Sequence, residues 1–407
     1  MIAKRWFSKF LIISSAGVPG GIKLLAMLIF PLFATKEEFA EFSRDFSFAN
    51  ALLMLSGVAY MIVLYKKMKK EKEKEHNREI FWSNLREYIS FGMVQVAVVV
   101  FASYLLFGIG LLEVFFLSFF TGIFFVSRGY YIFLKLFLRL FFIDAISLLV
   151  FLLVTSIGWF ADINRGGVVY LGVFLSSLVP LFVIIFDIGW DKTVFFHPVK
   201  MDRKEVSIIG WSNFTSVGIA FFIPMLIQGV ANEDFVIYSS MASLVFSIIT
   251  VIPRGILNEN IGDISLWIQT KKLTKDKLFF LQKKIFFAVF LLSTFVSVLF
   301  IFWMNIKSKG VIETNLYIYI ILLCLFLSVG QLSIVEATVM YLGGEEKKSL
   351  YANIMITVIC MVMALGAKAS TILSSPLIII LGLIVLYMIR WVYYCICVKK
   401  LVNEDEK

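Results

Sequence analysis

The residues most able to do chemistry in this chain are charged side chains inside long apolar runs. Lys23 is the first, about halfway along the run from Phe10 to Phe33. That run has about 24 residues and would extend roughly 36 Å as a helix, enough to cross a hydrocarbon core about 30 Å thick. A cation at mid-depth costs on the order of 3 kcal/mol or more unless it faces a polar cavity or a partner. We therefore predict that Lys23 faces a substrate path; snorkelling to an interface or a structural ion pair is the alternative.

Two acids also lie inside apolar runs, Asp144 and Glu336. A carboxyl group within a membrane marks either a structural ion pair or an ion-binding site. The sequence leaves both interpretations open. Each acid could pair with a basic neighbour, or could bind a coupling proton or sodium ion.

Three arginines near predicted span ends are further candidates. Arg128 and Arg139 flank a short turn and could capture an anionic headgroup, although anchoring at the cytoplasmic surface explains them equally well. Arg254 follows Pro253 at the inner end of a span. The uncharged candidates are amides that could hydrogen-bond a sugar or, by default, a neighbouring helix: Asn50, Asn213, Gln228 and Gln331.

The composition predicts that helices in a membrane position these residues. Of 407 residues, 60% are hydrophobic and only 16% are charged, whereas about a quarter are charged in soluble domains. Apolar windows predict an all-α polytopic membrane protein with about twelve spans. The predicted spans are 10–33, 45–65, 87–107, 111–127, 137–158, 167–187, 206–228, 236–257, 285–304, 315–342, 350–367 and 376–398.

No sequence pattern indicates covalent chemistry, a metal site or a cofactor. All four cysteines lie in apolar runs, and the pair Cys395 and Cys397 lacks the spacing and histidine partners of a zinc site. We find no nucleotide-binding loop and no nucleophile elbow in the sequence. We therefore expect neither catalysis nor direct use of ATP.

The distribution of Lys and Arg predicts the orientation. About 31 of the 38 Lys and Arg residues fall in segments that are cytoplasmic if the N-terminus is inside, four of them in the C-terminal segment, and about 6 fall in outer loops. This bias predicts that both termini are cytoplasmic, and it explains the net charge of +10 without nucleic acid. Lys23 remains as the single basic residue assigned to neither side.

An internal repeat divides the predicted spans into two sets of six. The loop after span one, ATKEEFAEFS, aligns with the loop after span seven, VANEDFVIYSS, at an offset of about 196 residues. Acids in both copies are expected to cap the following helix. Repeats of six spans share one orientation, which predicts two bundles related by a pseudo-two-fold axis along the membrane normal around a central cavity. The predicted parts are an N-terminal lobe 1–187, a cytoplasmic linker 188–205 and a C-terminal lobe 206–407.

The charge in span one is not repeated. The residue equivalent to Lys23 is Ile219. A one-sided lysine fits a cavity whose two walls contact a substrate differently.

Two segments resemble a known family. The hairpin LIFPLFATKEEFAEFSRDFSFANALL (28–53) and the turn VMYLGGEEKKSLYANIMITVI (339–359) are similar to those of the Wzx-type lipid-linked oligosaccharide flippases. These belong to the multidrug/oligosaccharidyl-lipid/polysaccharide exporter superfamily. Length, twelve spans and six-plus-six organisation agree with that family across the chain.

The resemblance implies a function and a location. It implies movement of undecaprenyl-pyrophosphate-linked sugar units to the outer leaflet of the bacterial cytoplasmic membrane, with membrane lipids, a polysaccharide polymerase and a chain-length regulator as expected partners. It also implies a cavity lined by spans one, two, seven and eight, where cations such as Lys23 and Arg254 would meet the pyrophosphate.

Two other functions remain open. One is an ion-coupled exporter of small molecules, either drug-type in the same superfamily or of the major-facilitator type. The long Lys/Glu stretch after span two argues against the major-facilitator type. The other is a membrane enzyme of polysaccharide assembly, although the sequence predicts neither a large outer loop nor an intramembrane histidine.

Overall fold

The structure is a computed structural model, and its regular elements are helices throughout the part of the chain that it describes. The described residues are 2–68, 74–161, 165–196, 202–216, 218, 223, 227, 233–247, 249, 251–269, 272–307, 314–369 and 375–403. Eight helical stretches among them are long and apolar enough to cross a membrane. These are Glu37–Lys67, Lys74–Leu106, Leu111–Phe133, Phe137–Phe160, Gly166–Ile188, Lys275–Ile306, Thr314–Leu342 and Pro376–Lys399.

The chain divides into two units, Met1–Phe214 and Thr215–Lys407. The division lies within a helix, beyond the predicted linker 188–205. The helices of the first unit are α1 (Ile2–Ile29), α2 (Lys36–Leu55), α3 (Gly57–Lys67), α4 (Lys74–Glu87), α5 (Met93–Phe107), α6 (Leu111–Phe133), α7 (Phe137–Phe160), α8 (Arg165–Ile188), α9 (Lys192–Phe196) and α10 (Arg203–Ser216), whose last two residues belong to the second unit.

The second unit follows the same all-helical plan. Its described helices are α11 (Glu233–Ser247), α12 (Val251–Gln269), α13 (Lys275–Lys307), α14 (Thr314–Leu332), α15 (Ile334–Leu342), α16 (Glu346–Ala369) and α17 (Pro376–Asn403). Predicted span ten therefore consists of two helices, α14 and α15, that meet at Ser333.

The predicted spans correspond to these helices with informative differences. The glycines and Pro19 in span one do not interrupt α1, which continues to Ile29. Spans four and five are separate helices, as predicted, but α6 continues to Phe133 and the turn is confined to residues 134–136. Lys135 in that turn has a φ of 56°, a left-handed conformation that ends the helix.

The repeated acidic loop does cap a helix in the first copy. The Thr35 side chain accepts from the Glu38 N–H at 3.3 Å, and the Glu38 carboxylate accepts from the Thr35 N–H at 2.8 Å. This reciprocal capping box starts α2. In the second copy α11 begins at Glu233, the residue equivalent to Glu37.

Small residues bring the helices of the first unit close together. A Cβ atom on Gly57 would lie 2.7 Å from the Gly122 Cα, so α3 approaches α6 this closely because position 57 is glycine. A Cβ atom on Gly122 would instead meet the Tyr88 side chain. Beside this contact α4 leads into a π-helical turn, Tyr88–Gly92. The Tyr88 hydroxyl from that turn donates to the Phe119 carbonyl of α6 at 2.8 Å.

The first part of the predicted linker packs on the first unit. The Trp82 indole donates to the Gly189 carbonyl at 3.2 Å, and its ring lies 4.7 Å from that of Trp190. Asp191 starts α9 by accepting from the Thr193 hydroxyl and the Val194 N–H. These hydrogen bonds hold the pKa of the Asp191 carboxyl below its ordinary value.

Candidate ion-coupling site

Two predicted candidates form one ion pair in the first unit. Arg128 on α6 and Asp144 on α7 are 3% and 0% exposed. The guanidinium binds the carboxylate in a bidentate manner, with both Nε–Oδ1 and Nη2–Oδ2 at 2.7 Å. Arg128 was expected to flank the turn. Because α6 continues beyond Arg128 to Phe133, the Arg128 side chain lies among helices instead.

This geometry fixes the chemistry of Asp144. A bidentate arginine satisfies both carboxylate oxygens and compensates the buried charge. Of the two possibilities the sequence left open for Asp144, a structural ion pair and an ion-binding acid, the geometry matches the ion pair.

The other basic candidates have partners of different kinds. Arg139 is more than half exposed and forms an ion pair with Asp187 of α8, which also accepts from the Tyr131 hydroxyl. Lys23 on α1 is half-buried, with its Nζ 5.4 Å from the centre of the Phe125 ring on α6. The aromatic face attracts a cation in this position electrostatically.

The remaining candidates are dispersed. The Asn50 amide donates to the Phe46 carbonyl within its own helix at 2.8 Å. Asn213 is buried on α10, and Arg254 is half-buried within α12. Gln228 lies outside the described residues. The roles of these residues in binding a substrate remain predictions.

Glu336 in the second unit has an environment unlike that of Asp144. It lies on α15, one turn after the break at Ser333, and is 0% exposed. Its Oε1 accepts three hydrogen bonds: from Gln282 Nε2 at 2.7 Å, Trp391 Nε1 at 3.1 Å and Cys395 Sγ at 3.3 Å. Helices α13 and α17 thus aim uncharged donors at a single oxygen.

The second oxygen of Glu336 has no hydrogen-bond partner among the residues that the structure describes. Nor does any Lys or Arg among the described residues form an ion pair with this carboxyl group. A buried acid with one saturated oxygen and one open oxygen is where an ion can bind, because the open oxygen gains a partner when it does.

Sequence reasoning missed the neighbour of this acid, Arg390. It was counted among the four basic residues of the C-terminal segment, but it lies inside α17 and is 4% exposed. Lys23 is therefore not the single basic residue inside a span. An arginine within predicted span 376–398 was the available signal, and the charge count obscured it.

Arg390 binds the end of the broken helix. Its Nη2 donates to the Ser333 hydroxyl at 3.0 Å and to the Gly330 carbonyl at 3.3 Å, and its guanidinium lies 3.9 Å from the Tyr387 ring centre. Its Nε is buried without a partner. Gly330, Ser333 and Glu336 are each three residues apart, so they lie on one face of the broken span. On that face Arg390 of α17 binds Gly330 and Ser333, and other side chains of α17 bind Glu336.

The first unit also contains a cavity of about 600 Å³ that includes none of the predicted site residues. The aromatic rings of Phe30, Phe33, Phe42 and Tyr170 line it. Its charged lining consists of Glu38, Glu41, Asp45, Glu113 and Arg44. Among the described residues, no group of three or more His, Cys, Asp or Glu could hold a metal ion.

Comparison with known proteins identifies the fold. No protein-family model and no curated protein sequence matches the chain. Crystal structures of MATE in complex with MaD3S and of MATE in the straight conformation match with TM-scores of 0.67 and 0.65, each at 14% identity over 97% of this chain and 95% of the other. The outward-facing conformation of a multidrug resistance MATE family transporter of the MOP superfamily matches with a TM-score of 0.61 at 15% identity, over the same shares. Identities this low establish the fold alone: the chain has the all-helical fold of the MATE transporters.

Proposed function

We propose that this chain is an ion-coupled exporter of small amphiphilic molecules that works by alternating access. One observation supports the coupling of transport to an ion: Glu336 is a fully buried acid with an open oxygen and no cationic partner among the described residues. A group of this kind can be charged in one step of a transport cycle and neutral in another. The paired Asp144 cannot serve in this way without leaving Arg128 uncompensated.

The fold supports the substrate class. The solved structures that share it include a multidrug transporter. The cavity of the first unit supports a cationic substrate, since a lining with four carboxylates and one arginine favours cations over polyanions. We propose a bacterial cytoplasmic membrane, as the resemblance to the flippase family implies, with both termini cytoplasmic, as the Lys and Arg distribution predicts.

Transport into proteoliposomes tests the proposal. With an ion gradient across the liposome membrane as the driving force, we expect reconstituted wild type to accumulate the cationic dye ethidium. The Glu336→Gln variant should lose this accumulation and keep the melting temperature of the wild type. Asp144→Asn is not a matched control, because it breaks an ion pair. Cys360→Ser, a buried cysteine of the same unit without a part in the site, serves instead. Equal ethidium transport by wild type and Glu336→Gln would contradict the proposal.

A second candidate is the lipid-linked oligosaccharide flippase. The observation that favours it is the number of basic residues within helices of predicted spans: Lys23 over an aromatic ring, Arg254 half-buried, and Arg390 without a carboxylate partner among the described residues. Cations in a low-dielectric region suit a pyrophosphate-linked glycan.

Surface glycan measurements separate the two candidates. In a deletion strain that carries the Lys23→Ala variant, the flippase function predicts reduced surface polysaccharide although the protein still inserts in the membrane. Wild-type polysaccharide levels in both the deletion strain and the variant would exclude this candidate. A polymerase and a chain-length regulator are expected partners only if it holds.

A further inference from the structure

We infer that the ion taken up at Glu336 is a proton and that Arg390 makes this site unsuitable for sodium. The inference rests on the proposed coupling role of Glu336 and goes further by identifying the ion and a residue that determines ion specificity. Two features carry it: the open Oε2 of Glu336, and the break between α14 and α15, where Arg390 binds the end of α14.

The hydrogen bonds to Glu336 match a neutral carboxylic acid. Its Oε1 receives donors from Gln282, Trp391 and Cys395, as a carbonyl oxygen would. Its Oε2 receives none, which leaves it free to carry the proton. One proton added to Oε2 neutralises the carboxylate without moving any of the three donors.

The three side chains that donate to Oε1 are poor ligands for a metal cation. Sodium needs several oxygen atoms around it, and hard cations prefer carboxylate and carbonyl ligands. The indole N–H of Trp391 and the thiol of Cys395 offer no oxygen, and the Gln282 amide presents its nitrogen. Of these four residues, only Glu336 itself would present oxygen to a cation at Oε2.

The best cation ligands nearby already hold a cation. In broken transmembrane helices, the free carbonyls at the C-terminal end of a half-helix are a common site for sodium. Here the end of α14 provides the Gly330 carbonyl and the Ser333 hydroxyl, and the Arg390 guanidinium binds both.

Among the described residues, no charged group forms an ion pair with Glu336. Helix α14 has no charged residue, and the described side chains of α17 near this site include Arg390, Lys399 and the thiol of Cys395; neither cation pairs with Glu336. The charged residues that α12, α13 and α16 carry on the described stretches next to α15 form no ion pair with it either: Arg254, Glu259, Lys283, Lys284, Glu346, Lys347 and Lys348. A proton therefore neutralises this carboxyl group with the fewest new contacts.

Infrared difference spectroscopy tests proton binding without any transport assay. We expect purified wild type to show a protonated-carboxyl band that titrates with pH, is absent in Glu336→Gln and is the same in sodium and in potassium buffer. Cys360→Ser should keep the band. A wild-type spectrum without a band attributable to Glu336, or a band that sodium removes, would overturn the inference.

Arg390→Met tests ion specificity. This variant frees the Gly330 carbonyl and the Ser333 hydroxyl, so sodium should now weaken the carboxyl band, whereas Arg390→Lys should keep the wild-type response. A structural role alone would leave the response to sodium unchanged in all three proteins. An Arg390→Met band that stays insensitive to sodium would refute the assignment of specificity to Arg390.

Transport then separates this inference from the proposed function. In proteoliposomes a pH gradient should drive ethidium transport at least roughly tenfold faster than a sodium gradient. A faster response to sodium would overturn the proton inference and leave the exporter intact. A titrating Glu336 band together with no ethidium transport under either gradient would leave the proton site and contradict the exporter.

Discussion

The two units each bury an acid and an arginine, but they arrange them in opposite ways. In the first unit Arg128 binds both oxygens of Asp144. In the second unit Arg390 binds a helix end, and the donors to Glu336 in the described part of the chain are all uncharged. Both acids are 0% exposed, so burial alone does not distinguish them.

The difference shows how to separate a structural acid from one that can exchange an ion. A bidentate pair is complete, and removing either member leaves a buried charge. Glu336 has a vacant oxygen, so it can gain a proton without losing a bond. The partner of a buried acid, and not its depth, indicates its role.

The largest effect is expected when the complete pair is broken. Arg128→Met should lower the free energy of unfolding by about 3–5 kcal/mol, because it leaves the Asp144 carboxylate buried without a partner. Thermal or denaturant unfolding of the detergent-solubilised protein measures it.

A double variant is the control for this prediction. Arg128→Met with Asp144→Leu should recover most of the loss, since replacement of a whole buried pair by apolar side chains is often neutral. A double variant as unstable as Arg128→Met alone would mean that the pair contributes through its shape and not its charge.

A smaller effect is expected at the acid of the second unit. Glu336→Leu should cost about 1–3 kcal/mol, because Gln282 and Trp391 lose their shared acceptor. Glu336→Gln retains an acceptor oxygen and should cost less. Similar losses in both variants, measured by the same unfolding assay, would argue that the charge of Glu336 itself stabilises the fold.

Among the buried charged residues, replacement of Arg390 should change the free energy of unfolding least. Arg390→Met loses hydrogen bonds to Ser333 and Gly330 but also relieves the cost of burying an uncompensated cation, so we expect a change below about 1.5 kcal/mol. The comparison with Arg128→Met, an identical substitution, is direct. A loss as large as that of Arg128→Met would imply a counter-charge for Arg390.

A partly exposed acid, Asp191, gives the smallest effect, and this effect depends on pH. The pKa of Asp191 is lowered by its bonds from Thr193 and Val194, so its charged form stabilises the start of α9. This contribution is complete above the ordinary value of 3.8 and disappears as the pH falls below the lowered one. Amide hydrogen exchange in 192–196 should therefore be faster in Asp191→Ala than in wild type at neutral pH, and the two should converge in acid.

The sequence predicted the helical membrane fold because long apolar runs have few other solutions in a bilayer. It singled out Asp144 and Glu336 as acids that either form an ion pair or bind an ion. It did not show which of them is paired, since the partner of Asp144 comes from another helix. The end of α6 was placed too early because Arg128 interrupts the apolar run. Arg390 was overlooked for the opposite reason: the apolar run continues past it.

The π-helical turn Tyr88–Gly92 bears on how this chain tolerates insertions and deletions. A π turn holds one residue more than the α-helix around it. Loss of one residue there would restore regular hydrogen bonding and leave α5 in nearly the same orientation relative to α4, because the π turn already absorbs the extra residue. Loss of one residue within the regular part of α4 would instead rotate the rest of the helix by about 100°. Val94, Val98 and Phe101, now exposed on the outside of the unit, would turn away from lipid in the second case and keep their direction in the first.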